Sequence, residues 1–431
     1  MILMAVILFF LFSLVGILYW KRKIFLLSPV DVFVLFFAGV LISTVLYHNF
    51  YPRYEKFNFF QFDFIGKNKF NRTFFVYLKM LLLFLLGVFI YSLFNKSYFV
   101  LAKQRIKIID TRNLKLNTNQ ISKIIVIIAL LCVLLVYIDY GSLLFYRAEY
   151  IPKDNSIFKI IYQNLFIVLC LLSGAVYRTN RSLALTAFCI AIIVGIGVGS
   201  RSATIYLLAF GLSYSVFLNR SRARTFYIFF IPFVIFFFGY NISLRLEANG
   251  HGLIPYLKVT LEKPEILFTY TVMNIYYTFI FGFYATSETI HLYKNASIGN
   301  LITTLNPLPG RLTNWYSIAS KLRINEIAPF TAIGELAKYP VFSVFYYSLL
   351  GYYFAAIDYF IKNQIVRKKY LWAVLQFLLL VLYVVHSFEY NLRSSHRFIY
   401  YSMALYVLYF ILKGLKTKLP RKSSNSNLLT E

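Results

Sequence analysis

The sequence predicts an all-α protein that crosses a membrane about eleven times, within a range of ten to twelve. Three observations predict it. Of the 431 residues, 60% are hydrophobic and only 14% are charged, where a soluble domain carries about 25% charged residues. The charges are crowded between long apolar stretches. Those stretches approach the length, about 20 residues, that a helix needs to cross the hydrocarbon core.

Taken in order, the apolar segments are 2–20, 30–48, 74–94, 121–140, 160–177, 183–198, 203–218, 226–240, 340–360, 371–386 and 398–412. The first reads as a spanning helix and not as a secretory signal. No positive charge precedes it, it is long for a signal core, and Lys21-Arg22-Lys23 follows in place of a small-residue cleavage site. Residues 182–218 would form a single helix of about 55 Å, too long for one crossing. They therefore divide into two helices that meet at Gly199-Ser200-Arg201-Ser202.

Basic clusters orient the helices. With the N-terminus outside, the inner segments hold Lys21-Arg22-Lys23, the run from Lys96 to Lys123, Arg178 with Arg181, and Arg220, Arg222 and Arg224. Lys362 with Arg367-Lys368-Lys369, and the tail from Lys413 to Lys422, complete the set. Asp110 is their one acid before the terminal Glu431. Short inner loops rich in Lys and Arg are what membrane insertion favours. Residues 266–285 test this order. They are apolar but carry Thr269, Tyr270, Thr271, Asn274, Tyr276, Tyr277 and Thr278. A single crossing there would invert every later loop. The segment reads instead as a re-entrant or surface-lying helix, tolerated where protein or water covers its polar groups; a pair of crossings is the alternative.

The chain thus divides into an N-terminal bundle of about eight helices, 1–241, a large outer loop, 242–338, about three further helices, 339–416, and a basic inner tail, 417–431. No internal repeat is visible, which weighs against an inverted-repeat transporter. The outer loop far exceeds the roughly 12 to 15 residues of an ordinary long connection. It is expected to fold into short helices capping the bundle and to carry the chemistry. The net charge of +28 fits topology and anionic headgroups, not nucleic acid, because the Lys and Arg flank apolar segments. Cys132, Cys170 and Cys189 lie in apolar segments without metal-ligand or disulfide spacing.

Four places can carry chemistry. Arg201 stands between two hydroxyls in a Gly-containing turn with free backbone amides, suited to a phosphate or diphosphate; the plainer reading is a snorkelling Arg at a helix end. Arg245 and Glu247 leave the eighth helix on the same side, followed by His251. Arg245 is a second diphosphate candidate, and Glu247 and His251 are candidate bases for an incoming hydroxyl; the plainer reading is a local Arg–Glu surface pair. The loop ends with Arg311, Arg323 and Gly334-Glu335-Leu336. Glu335 is a candidate base or sugar-hydroxyl ligand; the plainer reading is an acid favoured by the dipole of the helix that follows. Last come Glu389, Arg393, His396 and Arg397 between the final two helices, or simple interface anchors. Asp139 and Asp358 lie near predicted helix ends, where partial exposure accounts for them. There is no Walker A loop, GxSxG elbow, zinc spacing or Asp-x-Asp pair, so a transfer reaction here would use an activated donor without a metal or cofactor.

These residues resemble bacterial O-antigen and oligosaccharide repeat-unit polymerases of the Wzy type. The resemblance rests on the Ser200-Arg201-Ser202 turn, the single large late loop, and Gly334-Glu335-Leu336 running through Pro340 to Leu350-Gly351. Arg323, ten residues and then Gly334 is similar to the family's loose Arg-spacer-Gly pattern. Eleven helices depart from the twelve often drawn for the family. The resemblance implies a GT-C-like bundle and a membrane glycosyltransferase of the bacterial inner membrane. Its substrates would be undecaprenyl-diphosphate-linked oligosaccharides on the periplasmic face, joined with release of undecaprenyl diphosphate. It implies lipid contacts and a chain-length regulator as partner. Arg201, Arg245, Arg311, Arg323 and Arg397 would hold the diphosphate, with Glu335, Glu247 or His251 as base. Two alternatives stand: an O-antigen ligase with lipid A core as acceptor, and a repeat-unit flippase.

Overall fold

The computed structural model describes residues 28–50, 65–95, 118–149, 157–199, 202–215, 217–218, 220–263, 276–292, 297–313, 315–324, 330–367 and 369–418. The predicted span 2–20 lies outside the described residues. Each of the other ten apolar segments coincides with a helix: α1 Pro29–Phe50, α2 Lys67–Phe94, α3 Thr118–Tyr140, α4 Ile157–Val176, α5 Arg181–Val198, α6 Ser202–Ser215, α7 Arg220–Glu247 and, after the loop, the last three. The loop itself contributes α8 Leu253–Glu262, α9 Gly282–Leu292 entered through a π turn at Tyr277–Phe281, α10 Ile298–Leu305, α11 Trp315–Ala319 and α12 Ala332–Ala337. The chain then continues through α13 Pro340–Val366, α14 Tyr370–Glu389 and α15 Leu392–Lys418. No strand occurs among the described residues. Seven helices (α1 to α5, α13 and α14) are long and apolar enough to cross a membrane. The apolar parts of α6 and α7, Ala203–Ser215 and Thr225–Asn241, are shorter.

Ring contacts fix the relative directions. Phe33 stacks on Phe84 at 3.8 Å and His48 on Phe70 at 4.0 Å, so α1 and α2 are antiparallel. Along α2 and α13 the contacts advance together, from Phe84 against Gly351 to Tyr91 against Tyr352, so these two are parallel. They approach closely because neither glycine has a side chain. A Cβ on Gly87 would overlap the Ser348 carbonyl, and one on Gly351 that of Phe84. His386 meets Phe398 and Trp372 meets Tyr409, making α14 and α15 antiparallel. In the first part of the chain α5 and α6 form a hairpin, with Phe188 on Phe210 at 4.3 Å, and Tyr214 on Phe226 turns α7 back along α6.

Two half-bundles result. One comprises α3 to α8; the other gathers α1, α2 and α9 to α15. They touch where the end of α6 meets the start of α14, Phe217 against Tyr370 at 5.6 Å. That contact puts the C-terminal end of α6 beside the N-terminal end of α14. Followed through the antiparallel pairs, it brings the end of α7 and the start of α13 to the same end of the molecule. The chain between α7 and α13 therefore makes no net crossing. We call this the loop end, and the opposite one, where Arg178, Arg222 and Lys369 lie, the basic end.

The segment 266–285 is described from Tyr276 onward, and that part does not lie on the surface. Phe283, Tyr284, Ala285, Thr286 and Ser287 are buried. Phe279 packs on Phe36 and Phe283 on Phe70 and Tyr77. Hydroxyls around this part of the chain satisfy one another. Tyr77 and Thr286 share a hydrogen bond of 3.0 Å, and Thr286 and Thr331 one of 2.7 Å. Paired in this way, polar groups are inexpensive to bury.

Asp139 and Asp358 are also buried, against the expectation of partial exposure. The cause for Asp358 is length. Its helix runs on to Val366, two turns past it, and Lys362 one turn away neutralises it at 2.5 Å.

Candidate functional site

The turn after α5 is built from the carbonyls that a helix end leaves unpaired. Gly199 takes the left-handed conformation, φ 70°, and its amide donates to Ile196 O at 2.7 Å. The carbonyls of Gly197, Val198 and Gly199 then need donors from elsewhere. Arg147 supplies two of them: its guanidinium donates to Gly197 O at 2.8 Å and Val198 O at 2.9 Å, and back to Leu143 O at 3.1 Å. Arg245, in the last turn of α7, donates to Gly199 O. Both cations sit at the negative end of the α5 dipole, where positive charge is favoured. Arg147 is only 3% exposed, so its charge is balanced by these carbonyls and by the Tyr140 ring at 5.4 Å. Ser200 and Arg201, next along the chain, lie outside the described residues.

His251 joins this group through the backbone. It pairs with Arg147 in an isolated antiparallel bridge, both N–H to O distances being 2.8 Å. One ring nitrogen shares a hydrogen bond of 3.1 Å with the Tyr256 hydroxyl. Burial, and after it the Arg147 and Arg245 charges, hold the imidazole below its usual value. His251 is thus a neutral base at ordinary pH. Glu247 pairs with Lys263, just after α8, at 3.4 Å, while α7 continues through Glu247 and aims Arg245 at Gly199.

Glu335 occupies the other half-bundle. Thr331 caps α12 by accepting from Gly334 N at 3.1 Å, and the Ala332 amide donates to Tyr390 O at 2.8 Å. This seats the short helix against the junction of α14 and α15. Glu335, 5% exposed, accepts from Leu392 N at 3.3 Å, while Asn391 accepts from Ser394 N at 2.9 Å. The acid therefore serves the first turn of α15, not the following helix α13 as the plainer reading held. Burial pushes its carboxyl from an ordinary 4.5 up to about 8, outweighing the opposite pull of the Leu392 amide.

Arg393 is 2% exposed and clamps the loop. It donates to Thr303 O at 2.6 Å, to Leu308 O and to Thr313 Oγ1, and lies 5.0 Å over the Trp315 ring. Of the arginines proposed for diphosphate, Arg311 in the 3-10 turn Gly310–Leu312, Arg323 after α11, and Arg397 on α15 are exposed. The described candidates thus fall into two sets: Arg245, Glu247 and His251 near the Gly199 turn, and Glu335, Arg311 and Arg397 near the start of α15, with Arg323 following α11. Among the described residues, no three His, Cys, Asp or Glu stand together in a way that could hold a metal ion.

Arg147 was not among the residues singled out from sequence. An Arg seven residues after a span looks like any interfacial cation. Its inward turn follows from the 3-10 turn Gly141–Leu144 and the bridge to His251, neither of which a local pattern announces.

No family model matches the chain, and no curated protein or solved structure matches it.

Proposed function

We propose that the protein is a membrane glycosyltransferase of the bacterial inner membrane, with a GT-C-like bundle, that polymerises undecaprenyl-diphosphate-linked oligosaccharides at its loop end. The observation that carries the reading is Glu335: a buried carboxyl with a raised affinity for protons, at the same end as the arginine-held turn that leads into Arg201. In its ionised form Glu335 takes the proton of the acceptor sugar hydroxyl, as a stronger base than an ordinary carboxylate. The hydroxyl oxygen bonds to the donor's anomeric carbon, the bond from that carbon to the phosphate oxygen breaks, and undecaprenyl diphosphate leaves with the electron pair. Arg201, Arg245, Arg311, Arg323 and Arg397 are the cations available for the charge that develops there. At 3.3 Å the bond from Leu392 N is long, so an acceptor hydroxyl can displace it.

The test is reconstitution with the lipid-linked oligosaccharide, following polymer ladders and released undecaprenyl diphosphate. Glu335→Gln and Arg201→Ala are each expected to slow transfer by about a hundredfold or more. Arg201→Lys, keeping charge without the fork, separates bidentate binding from simple attraction. Unchanged ladders in both variants would sink the proposal. Transfer of one chain to lipid A core without a ladder would identify a ligase, and translocation without bond formation a flippase.

A further inference from the structure

At the basic end, far from the residues above, α6 and α7 enclose a groove of about 710 Å3 lined by Tyr214, Leu218, Arg222, Thr225 and a run of phenylalanines down α7. The run is Phe226, Phe229, Phe230 and Phe233, the spacing of one helix face. Arg222 stands one turn before Phe226 on that face. The groove therefore grades from a cation at its mouth to pure aromatic surface over 11 residues, about 16 Å of helix. Phe230 forms the floor, its ring seated in the space that Gly211 leaves; a Cβ there would overlap it. Phe229, 72% exposed, forms the open wall. The hydroxyls of Ser215 and Tyr227, 2.7 Å apart, hold the two helices together at the mouth.

Charge at the mouth is one-sided. Arg178 donates to Phe217 O at 2.7 Å, next to Leu218. Arg181 lies over the Tyr177 ring, which meets the groove residue Tyr214 at 5.1 Å. Arg220 and Arg224 flank Arg222 in the sequence, and no Asp or Glu occurs between Asp154 and Glu247. Lys369 stands beside Tyr370, the residue that meets Phe217. The arginines of this stretch thus stand in 92 residues of sequence, 155–246, without an acid, and the apolar wall below Arg222 opens toward the bilayer. The shape and charge match one kind of occupant: an amphiphile with an anionic head and a hydrocarbon tail.

We propose that this groove is a binding site for an anionic glycerophospholipid of the leaflet at the basic end. The phosphate sits at Arg222 and the first turn of α7, and an acyl chain runs along Phe226, Phe229 and Phe233. The site is independent of the transfer reaction proposed above.

The experiment uses the full chain in nanodiscs of equal phosphatidylglycerol and phosphatidylcholine. A tail diazirine is carried by one lipid or the other, and adducts are mapped by mass spectrometry. Labelling at 226–233 by phosphatidylglycerol is expected to exceed that by phosphatidylcholine about fivefold, the weight of one basic residue at a membrane surface, above the ratio at Ile124 and Ile127. Those two lie exposed beside Lys123 on α3, so they report surface charge without a groove. Arg222→Gln should bring the ratio at 226–233 down to the α3 value. Equal ratios at the two places in the wild-type protein would overturn the proposal even if the variant failed to fold. So would a groove ratio that Arg222→Gln leaves unchanged.

Discussion

The two half-bundles use polar groups at the loop end differently. In the half made by α3 to α8, two arginines serve the backbone of a single helix end: Arg147 and Arg245 close α5. Its outermost helix is mostly bare, with 17% of the α3 span window buried inside the protein, against 61% for α14. In the other half Arg393 also holds backbone, but of the loop, while buried hydroxyls pair with one another and a buried carboxyl accepts from the first turn of α15. One half is a fence whose few polar anchors fix a turn. The other is a packed core with ionisable chemistry inside it. The difference shows that burial in this fold follows the presence of a partner, not the distance from a loop.

Four experiments can break or sharpen that contrast. Arg147→Met should have the largest effect, about 3 to 5 kcal/mol, because it strips donors from buried carbonyls at once; thermal unfolding in detergent measures it. Gly351→Leu in the packed half should cost about 1 to 3 kcal/mol by forcing α13 off α2, read by the same assay. The Glu335 carboxyl has a higher pKa folded than unfolded. Its contribution to stability is therefore complete below the ordinary value of 4.5 and is lost as pH rises toward about 8. Unfolding followed across that window should show a loss on the order of 1 kcal/mol per pH unit that Glu335→Gln removes. Leu130→Ala on the exposed face of α3 should change stability by less than about 0.5 kcal/mol. A large effect there would mean that a protein surface, and not lipid, covers the fence.

Much of the architecture was legible because hydropathy and charge act locally. Ten of the apolar segments sit on helices, and the break at Gly199 followed from the length of residues 182–218. Glu335 was legible as a residue of interest, but its partner was not: Leu392 lies 57 residues away. Of the two readings of 266–285, re-entrant or surface-lying, the burial of Phe283 to Ser287 disfavours the second; sequence alone does not choose, because the partners that satisfy Thr286, Tyr77 and Thr331, lie far away in the chain. The Asp358–Lys362 pair did leave a signal, an acid and a base four apart inside an apolar run, which was outweighed by nearness to a predicted helix end. The partition of the candidate residues into two half-bundles had no local signature, since it depends on which helices pack together.

The placement of Leu392 and Arg393 has a consequence for biosynthesis. Both belong to the last helix, yet they complete the surroundings of Glu335 and fasten Thr303, Leu308 and Thr313. A chain emerging from the ribosome presents Glu335 long before α15 exists. Until that final helix inserts, the acid lacks the Leu392 amide and the loop is unfastened. A chain that stops before α15 therefore lacks both the Leu392 hydrogen bond to Glu335 and the Arg393 clamp on the loop, the last two contacts of this region to become available.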